Sequence, residues 1–261
     1  MKALCPMLFL LSFAACQHSP TGRRQLAIAS DAQVEEMGRQ AFEEMKAQQP
    51  IENDPKLNAY VQCVARAITN QIEPRRDWEI VVFREPSANA FALPGGKIGV
   101  HTGMMKVAKN QHQLATVIGH EVGHVIAQHG KERISEAMVA QGGLAVADQI
   151  LGDKNNPKRN LILAALGLGT QVGILLPHSR AQETEADIIG LDLMARAGFQ
   201  PADALTLWRN MEESGGAQPP EFVSSHPSHG SRIETLKNRL PEAEKALKNS
   251  PRKADCGPPP G

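Results

Sequence analysis

Leu114-Ala115-Thr116-Val117-Ile118-Gly119-His120-Glu121-Val122-Gly123-His124-Val125 is the stretch on which the fold turns. Leu114, Val117, Ile118, Val122 and Val125 recur at the spacing of a buried helix. On that helix His120 and His124 are one turn apart, so both imidazoles leave from the same face. Two imidazoles so placed can share one zinc ion. Glu121, beside the first of them, can reach a zinc-bound water and take its proton as it attacks a peptide carbonyl. Val122 and Gly123 are small and uncharged, which suits a helix with a close neighbour. A His-Glu-x-x-His match also arises by chance on helices. A metal site needs a third protein ligand and a position left open for water.

Glu183, in Ser179-Arg180-Ala181-Gln182-Glu183-Thr184-Glu185-Ala186-Asp187, is the candidate third ligand. Asp187 follows it by four residues on a predicted helix and can face the same site. There it would hold a ligand histidine by its other ring nitrogen and fix the tautomer. The plain alternative for Glu183 is a surface ion pair. Glu185 points about 160° away from the midpoint of that face by the 3.6-residue period, so it reads as solvated. His129 is five residues past His124 and reads as rotated off the ligand face. His101, His112, His178 and His229 carry no functional pattern.

Outward from these motifs, the chain reads as mainly helical with one small sheet, an α+β fold. Helices are expected over 31–46, 54–69, 110–133, 137–151, 161–176, 182–197, 201–213 and 231–240, with a turn at 154–157. Trp78 to Phe83, Asn89 to Leu93 and Lys97 to His101 read as strands, the last two joined by Pro94-Gly95-Gly96. The most apolar helix, over 161–176, is short of the ~20 residues needed to cross a bilayer. The 261 residues suit one domain, and 41% hydrophobic residues suffice for a core. Lys+Arg 28 balance Asp+Glu 28, which excludes a dedicated basic nucleic-acid face and a polybasic membrane anchor.

The amino terminus runs charge, apolar stretch, small residues, in the order of a secretory signal over 1–15. Phe13-Ala14-Ala15-Cys16 resembles a bacterial lipobox, which implies a lipid on Cys16; ordinary cleavage near Ala15 is the alternative. Residues 16–29 are polar and aperiodic and read as a lipid-anchored tether. Residues 30–250 form the enzymatic domain and 251–261 a flexible tail. Cys5 leaves with the signal, so Cys63 and Cys256 can pair in an oxidising compartment or stay as two thiols.

The His-Glu-x-x-His and Glu-x-x-x-Asp pair resembles metallopeptidase family forty-eight, which includes the HtpX heat-shock protease and the CAAX prenyl protease. Asn89-Ala90-Phe91-Ala92 is similar to that family's substrate-binding edge strand. Leu176-Pro177-His178-Ser179-Arg180, leading into Glu183, is similar to its third-ligand segment. Ser225-His226-Pro227-Ser228-His229-Gly230-Ser231-Arg232 is similar to its late His-Pro and Arg motif. The closest look is to small periplasmic lipoprotein members and to the soluble domain of the mitochondrial inner-membrane relative. The resemblance implies a zincin-like domain with one zinc ion on His120, His124 and Glu183, Glu121 as general base and Asp187 behind a ligand. It implies that Arg232 stabilises the oxyanion or orients the peptide. His226 either donates to that oxyanion or takes the fourth metal position at rest. Asn89, Ala90 and Phe91 would pair with an extended peptide backbone.

The function expected is endopeptidase action on misfolded or unassembled proteins at the periplasmic face of a bacterial envelope. Partners would be unfolded polypeptides and the membrane through Cys16, with no nucleic acid. Gln17 after the lipid-bearing Cys points to the outer membrane. A zinc-containing chaperone with little turnover is the second reading; retention of Glu121 favours catalysis. A structural lipoprotein with a fortuitous motif is the third.

Overall fold

A computed structural model describes residues 16–140, 159–168, 178–214, 221–226, 230–251 and 253–260. The signal segment 1–15, the turn at 154–157, His229, and most of the helices expected over 137–151 and 161–176 lie outside these residues. Among the described residues, two strands open the chain, β1 (Cys16–His18) and β2 (Arg24–Leu26), followed by helices α1 (Asp31–Gln48) and α2 (Pro55–Thr69). Strands β3 (Glu79–Phe83), β4 (Ala90–Leu93) and β5 (Lys97–His101) come next, then a 3-10 turn, Thr102–Lys106. The remaining helices are α3 (Gln111–Ile126), α4 (His129–Ala140), α5 (Arg159–Leu163), α6 (Arg180–Arg196), α7 (Asp203–Ser214), α8 (Glu221–Ser225) and α9 (Gly230–Asn249). The fold is mostly helical with small sheets, as the periodicities predict.

Local chemistry sets several boundaries. Ser30 accepts from the Gln33 amide and the Gln33 side chain returns the bond, a capping box that starts α1. Asp54 caps α2 with Pro55 in its first turn. Ser179 and Gln182 form a second capping box, which orients α6 just before Glu183. The sheet order is β3-β5-β4, with β3 parallel and β4 antiparallel to β5. β4 therefore has a strand neighbour on one side only. Its alternation sends Phe91 and Leu93 into a cluster with Phe42 and Phe83, and Ala90 and Ala92 into the main core with Val117 and Ile118.

Helix α3 lies at the centre, and α6 crosses it at the closest approach the backbone permits. A Cβ on Gly119 would come within 2.8 Å of the Gly190 carbonyl oxygen, and one on Gly123 within 2.8 Å of that of Ala186. A Cβ on Gly190 would lie 2.7 Å from the Gly119 carbonyl carbon and the His120 nitrogen. This contact brings the ligand faces of the two helices together.

Two expectations are corrected. The single helix expected over 110–133 is two helices, because Gln128 adopts φ 56 between them. A non-glycine residue there costs about 1 kcal/mol and leaves no sequence signature. Residues 16–29, read as a tether, form the antiparallel β1–β2 pair, with Gln25 and Ser19 buried. The pairing of Cys63 with Cys256 is present, with a Cα–Cα distance of 5.7 Å, and it ties the carboxyl-terminal segment to α2. No helix among the described residues is long and apolar enough to cross a membrane.

Candidate active site

His120 and His124 project from α3 toward α6, and their Nε2 atoms lie 3.0 Å apart. Glu183 completes the convergence, with Oε2 3.5 Å from His120 Nε2 and Oε1 3.5 Å from His124 Nε2. His226, at the end of α8, places Nδ1 3.0 Å from Glu183 Oε1 and 3.2 Å from His120 Nε2. The four side chains are buried, and each offers a ligand atom within 4.8 Å of the others.

The hydrogen atoms can be assigned by elimination. His120 Nδ1 lies 2.9 Å from Asp187 Oδ1, and an ionised carboxylate only accepts, so Nδ1 carries a proton and Nε2 is the nitrogen that faces Glu183. His124 Nδ1 lies 2.7 Å from His129 Nδ1, whose other nitrogen is 3.1 Å from Glu185 Oε2. That carboxylate takes the His129 Nε2 proton, so His129 Nδ1 accepts from His124, and the His124 Nε2 lone pair also faces inward. Two inward imidazole nitrogens and a carboxylate therefore converge in a buried space. The donor set fits a metal ion of the zinc type.

The charges follow the same logic. Burial and the Arg232 guanidinium oppose protonation of His120, yet Asp187 and Glu183 prevail and raise it to about 9; a metal ion would displace that proton. Burial would raise the Glu183 carboxyl, but His226, Arg232 and His120 outweigh it and hold it well below the carboxylate range. His124 is driven well below the usual imidazole value, chiefly by burial. Burial also raises Glu121, whose Oε1 has no hydrogen-bond partner and lies 3.4 Å from His226 Nε2.

The residues singled out in the sequence fall into three places. His120, Glu121, His124, Glu183 and His226 meet at the centre. Asp187 stands behind His120. Asn89, Ala90 and Phe91 wall a cavity of about 280 Å³ that Glu121, His124 and His226 also line. The Phe91 ring stacks on Phe83, so the strand offers the cavity its backbone edge rather than that ring. Cys16 is exposed in β1. Arg232 lies at the same centre: its Nη1 is 2.8 Å from Glu183, and its Nη2 is 2.7 Å from Asp187 Oδ1, 2.9 Å from His120 Nδ1 and 3.1 Å from His120 Nε2. Its guanidinium lies 3.5 Å over Trp208. It therefore holds the Glu183 and Asp187 carboxylates beside the ligand histidine.

Several residues near the centre escaped the sequence reading. Glu185, read as solvated, is 3% exposed and accepts from Thr21 Oγ1 (2.5 Å) and Arg23 Nε (2.9 Å). His129 is fully buried against His124, because the break at Gln128 turns α4 back toward the site. His178 lies against His124, with ring centroids 4.1 Å apart, and its Nε2 is 2.9 Å from Arg133 Nη1. His124, His129 and His178 also bring ring nitrogens close together. The Arg133 charge and the bond already joining His129 to His124 make that trio unsuited to a cation.

Two histidines one helical turn apart, met in a buried space by a carboxylate from a second helix, suit a zincin-like metallopeptidase domain, and this domain is of that class. More narrowly, the chain belongs to peptidase family M48, whose sequence profile matches residues 52–240. It is 39% identical over 169 residues to the mitochondrial metalloendopeptidase OMA1 of Schizosaccharomyces pombe, covering 64% of this chain and 48% of the relative. Human OMA1 is 32% identical over 254 residues, covering 89% and 47%. The beta-barrel assembly-enhancing protease of Escherichia coli K12 is 27% identical over 220 residues, covering 80% and 44%. The chain spans about half the length of the curated relatives it matches.

Proposed function

We propose that this chain is a zinc-dependent endopeptidase of the bacterial cell envelope, held to the membrane by a lipid on Cys16 and acting on misfolded or unassembled proteins. The observation that carries the chemistry is the convergence of His120 Nε2 and His124 Nε2 on the Glu183 carboxylate. His120, His124 and Glu183 would hold one zinc ion, which when bound supplies Lewis acidity toward water and a peptide carbonyl. Glu121, buried and unpartnered at Oε1, accepts the proton of the attacking water and returns it to the leaving amine. The free edge of β4 hydrogen-bonds the backbone of an extended substrate, a mode that reads few side chains and so favours unfolded segments. His226 occupies the fourth position of the ligand group, so in this reading it closes the site at rest and must swing away for water to enter.

The envelope location is supported by the signal-like order of 1–15 and by the similarity to bacterial beta-barrel assembly-enhancing proteases. Outer-membrane residence rests on Gln17 after Cys16. Mass spectrometry of the mature amino-terminal peptide tests the lipid: a diacylglyceryl-modified Cys16 is expected, and an unmodified terminus removes the anchor.

The decisive experiment measures casein hydrolysis and bound zinc on one sample for wild type and Glu121→Gln. One zinc per chain with hydrolysis lost in the variant is expected. Full activity in Glu121→Gln refutes the mechanism. His226→Ala should raise basal hydrolysis; a fall would make His226 a donor to the oxyanion instead.

A further inference from the structure

We propose that His129, Glu185, Thr21 and Arg23 form a positioning chain that fixes the tautomer of His124 and so sets the metal affinity of the site. The amino-terminal β1–β2 segment is thereby a working part of the centre. The inference rests on the metal-site reading above and deepens it.

The argument is one of proton bookkeeping in a closed space. Two ring nitrogens 2.7 Å apart, His124 Nδ1 and His129 Nδ1, share one proton. Which ring owns it is decided at the far side of His129. There Nε2 meets Glu185 Oε2 at 3.1 Å, and a carboxylate accepts only. Glu185 is itself held in place by Thr21 Oγ1 on Oε1 and by Arg23 Nε on Oε2. Arg23 is anchored in turn by Glu132, with Nη1 2.6 Å from Oε1 and Nη2 2.7 Å from Oε2, and Gln182 donates to Glu132 at 2.8 Å. Because Arg23 already balances the Glu185 charge, His129 serves as a neutral relay, taking one hydrogen bond and giving one. If Glu185 were absent, His129 could hold its proton on Nδ1. His124 Nδ1 would then have to accept, and its own proton would move to Nε2, the atom that must bind metal. His120 needs no relay, since Asp187 reaches its Nδ1 directly. Partners of this kind typically change metal affinity 10–100-fold.

The test is zinc affinity of the full chain by competition with a chromophoric chelator, for wild type, Glu185→Leu, His129→Leu, His129→Asn and Arg23→Gln. Glu185→Leu, which removes the acceptor, and His129→Leu should weaken zinc binding about 10–100-fold. His129→Asn keeps an acceptor at the Nδ1 position and should recover most of the loss. Arg23→Gln should fall between wild type and Glu185→Leu. Dissociation constants within twofold of wild type for Glu185→Leu and His129→Leu, in variants with native circular dichroism, overturn the proposal. Long-range proton–nitrogen correlation NMR of wild type decides it even where a variant fails to fold. The expected pattern is a proton on Nδ1 of His124 and on Nε2 of His129; a proton on Nδ1 of His129 overturns the relay. Wild type that holds no zinc would defeat the proposed function, while the NMR assignment would still decide the relay.

Discussion

The two ligand histidines sit in the same helix, one turn apart, yet they are supported in different ways. Behind His120 lies a compact ion cluster, Asp187 and Arg232, supplied by α6 and α9 and packed under Trp208. Behind His124 lies a longer file, His129, Glu185, Arg23 and Thr21, drawn from α4, α6 and the loop between β1 and β2. The first support is one bond deep and wholly buried; the second is several bonds deep and ends at Arg23, whose side chain is 24% exposed. Depth and exposure decide how much each loses when a member is removed.

The largest effect is expected on the His120 side. Asp187→Ala leaves Arg232 and His120 without the carboxylate that neutralises them, and breaking a buried pair costs about 3–5 kcal/mol. Urea denaturation of the metal-free protein should show that loss; a loss no larger than the one Arg23→Gln causes on the other side would make the two sides equivalent. Gly190→Ala strikes both sides together, because the new methyl meets backbone atoms at 2.7 Å that cannot rotate away. It should cost about 1–3 kcal/mol by calorimetry and weaken zinc binding with it. An unchanged melting temperature would show that the helix crossing is looser than described.

Arg23→Gln should cost less, about 1–2 kcal/mol, since Gln182 still serves Glu132 and Thr21 and His129 still serve Glu185. This side also carries a pH signature. Burial opposes ionisation of Glu132, but the bonds from Arg23 and Gln182 prevail and lower it from the ordinary 4.5. A depressed carboxylate contributes fully above 4.5, and that contribution drains as the pH falls through its folded value. The melting gap between wild type and Arg23→Gln should therefore narrow below about pH 4.5; a gap that widens would contradict the pairing. The smallest effect is reserved for Arg239→Ala, whose partner Asp192 and own side chain are about one-third exposed. Such pairs contribute about 0–1 kcal/mol, so the site should not notice its loss.

The same comparison explains what was legible in the sequence. The His120 side was readable because its members lie at helical spacing. His120 and His124 are four apart, Glu183 and Asp187 are four apart, and a capping box marks where the second helix begins. The β-branched run before Phe83 and the Pro94-Gly95-Gly96 turn located the sheet for the same local reasons. The His124 side was not readable, because its geometry depends on a break in periodicity. Extending one helix through Gln128 turns His129 away, whereas a left-handed Gln128 turns it inward. Glu185 followed the wrong prediction because its partners, Thr21 and Arg23, lie in an aperiodic stretch more than 160 residues away in sequence. Helical period assigns a face to a residue; it does not say which distant loop will cover that face. Arg232 is placed at the centre by its motif alone; that it also pairs with Glu183 and Asp187 there depends on how α9 meets α6, which no local spacing shows.

The bond between Cys63 and Cys256 has a consequence for self-digestion. The ring of chain it closes contains every proposed catalytic and metal-binding residue, from His120 to His226, together with the β4 edge. A single cut anywhere inside that ring leaves the two pieces covalently joined. One autolytic cut within that ring would therefore release no fragment and would leave the mass on a non-reducing gel unchanged, appearing only after a thiol is added.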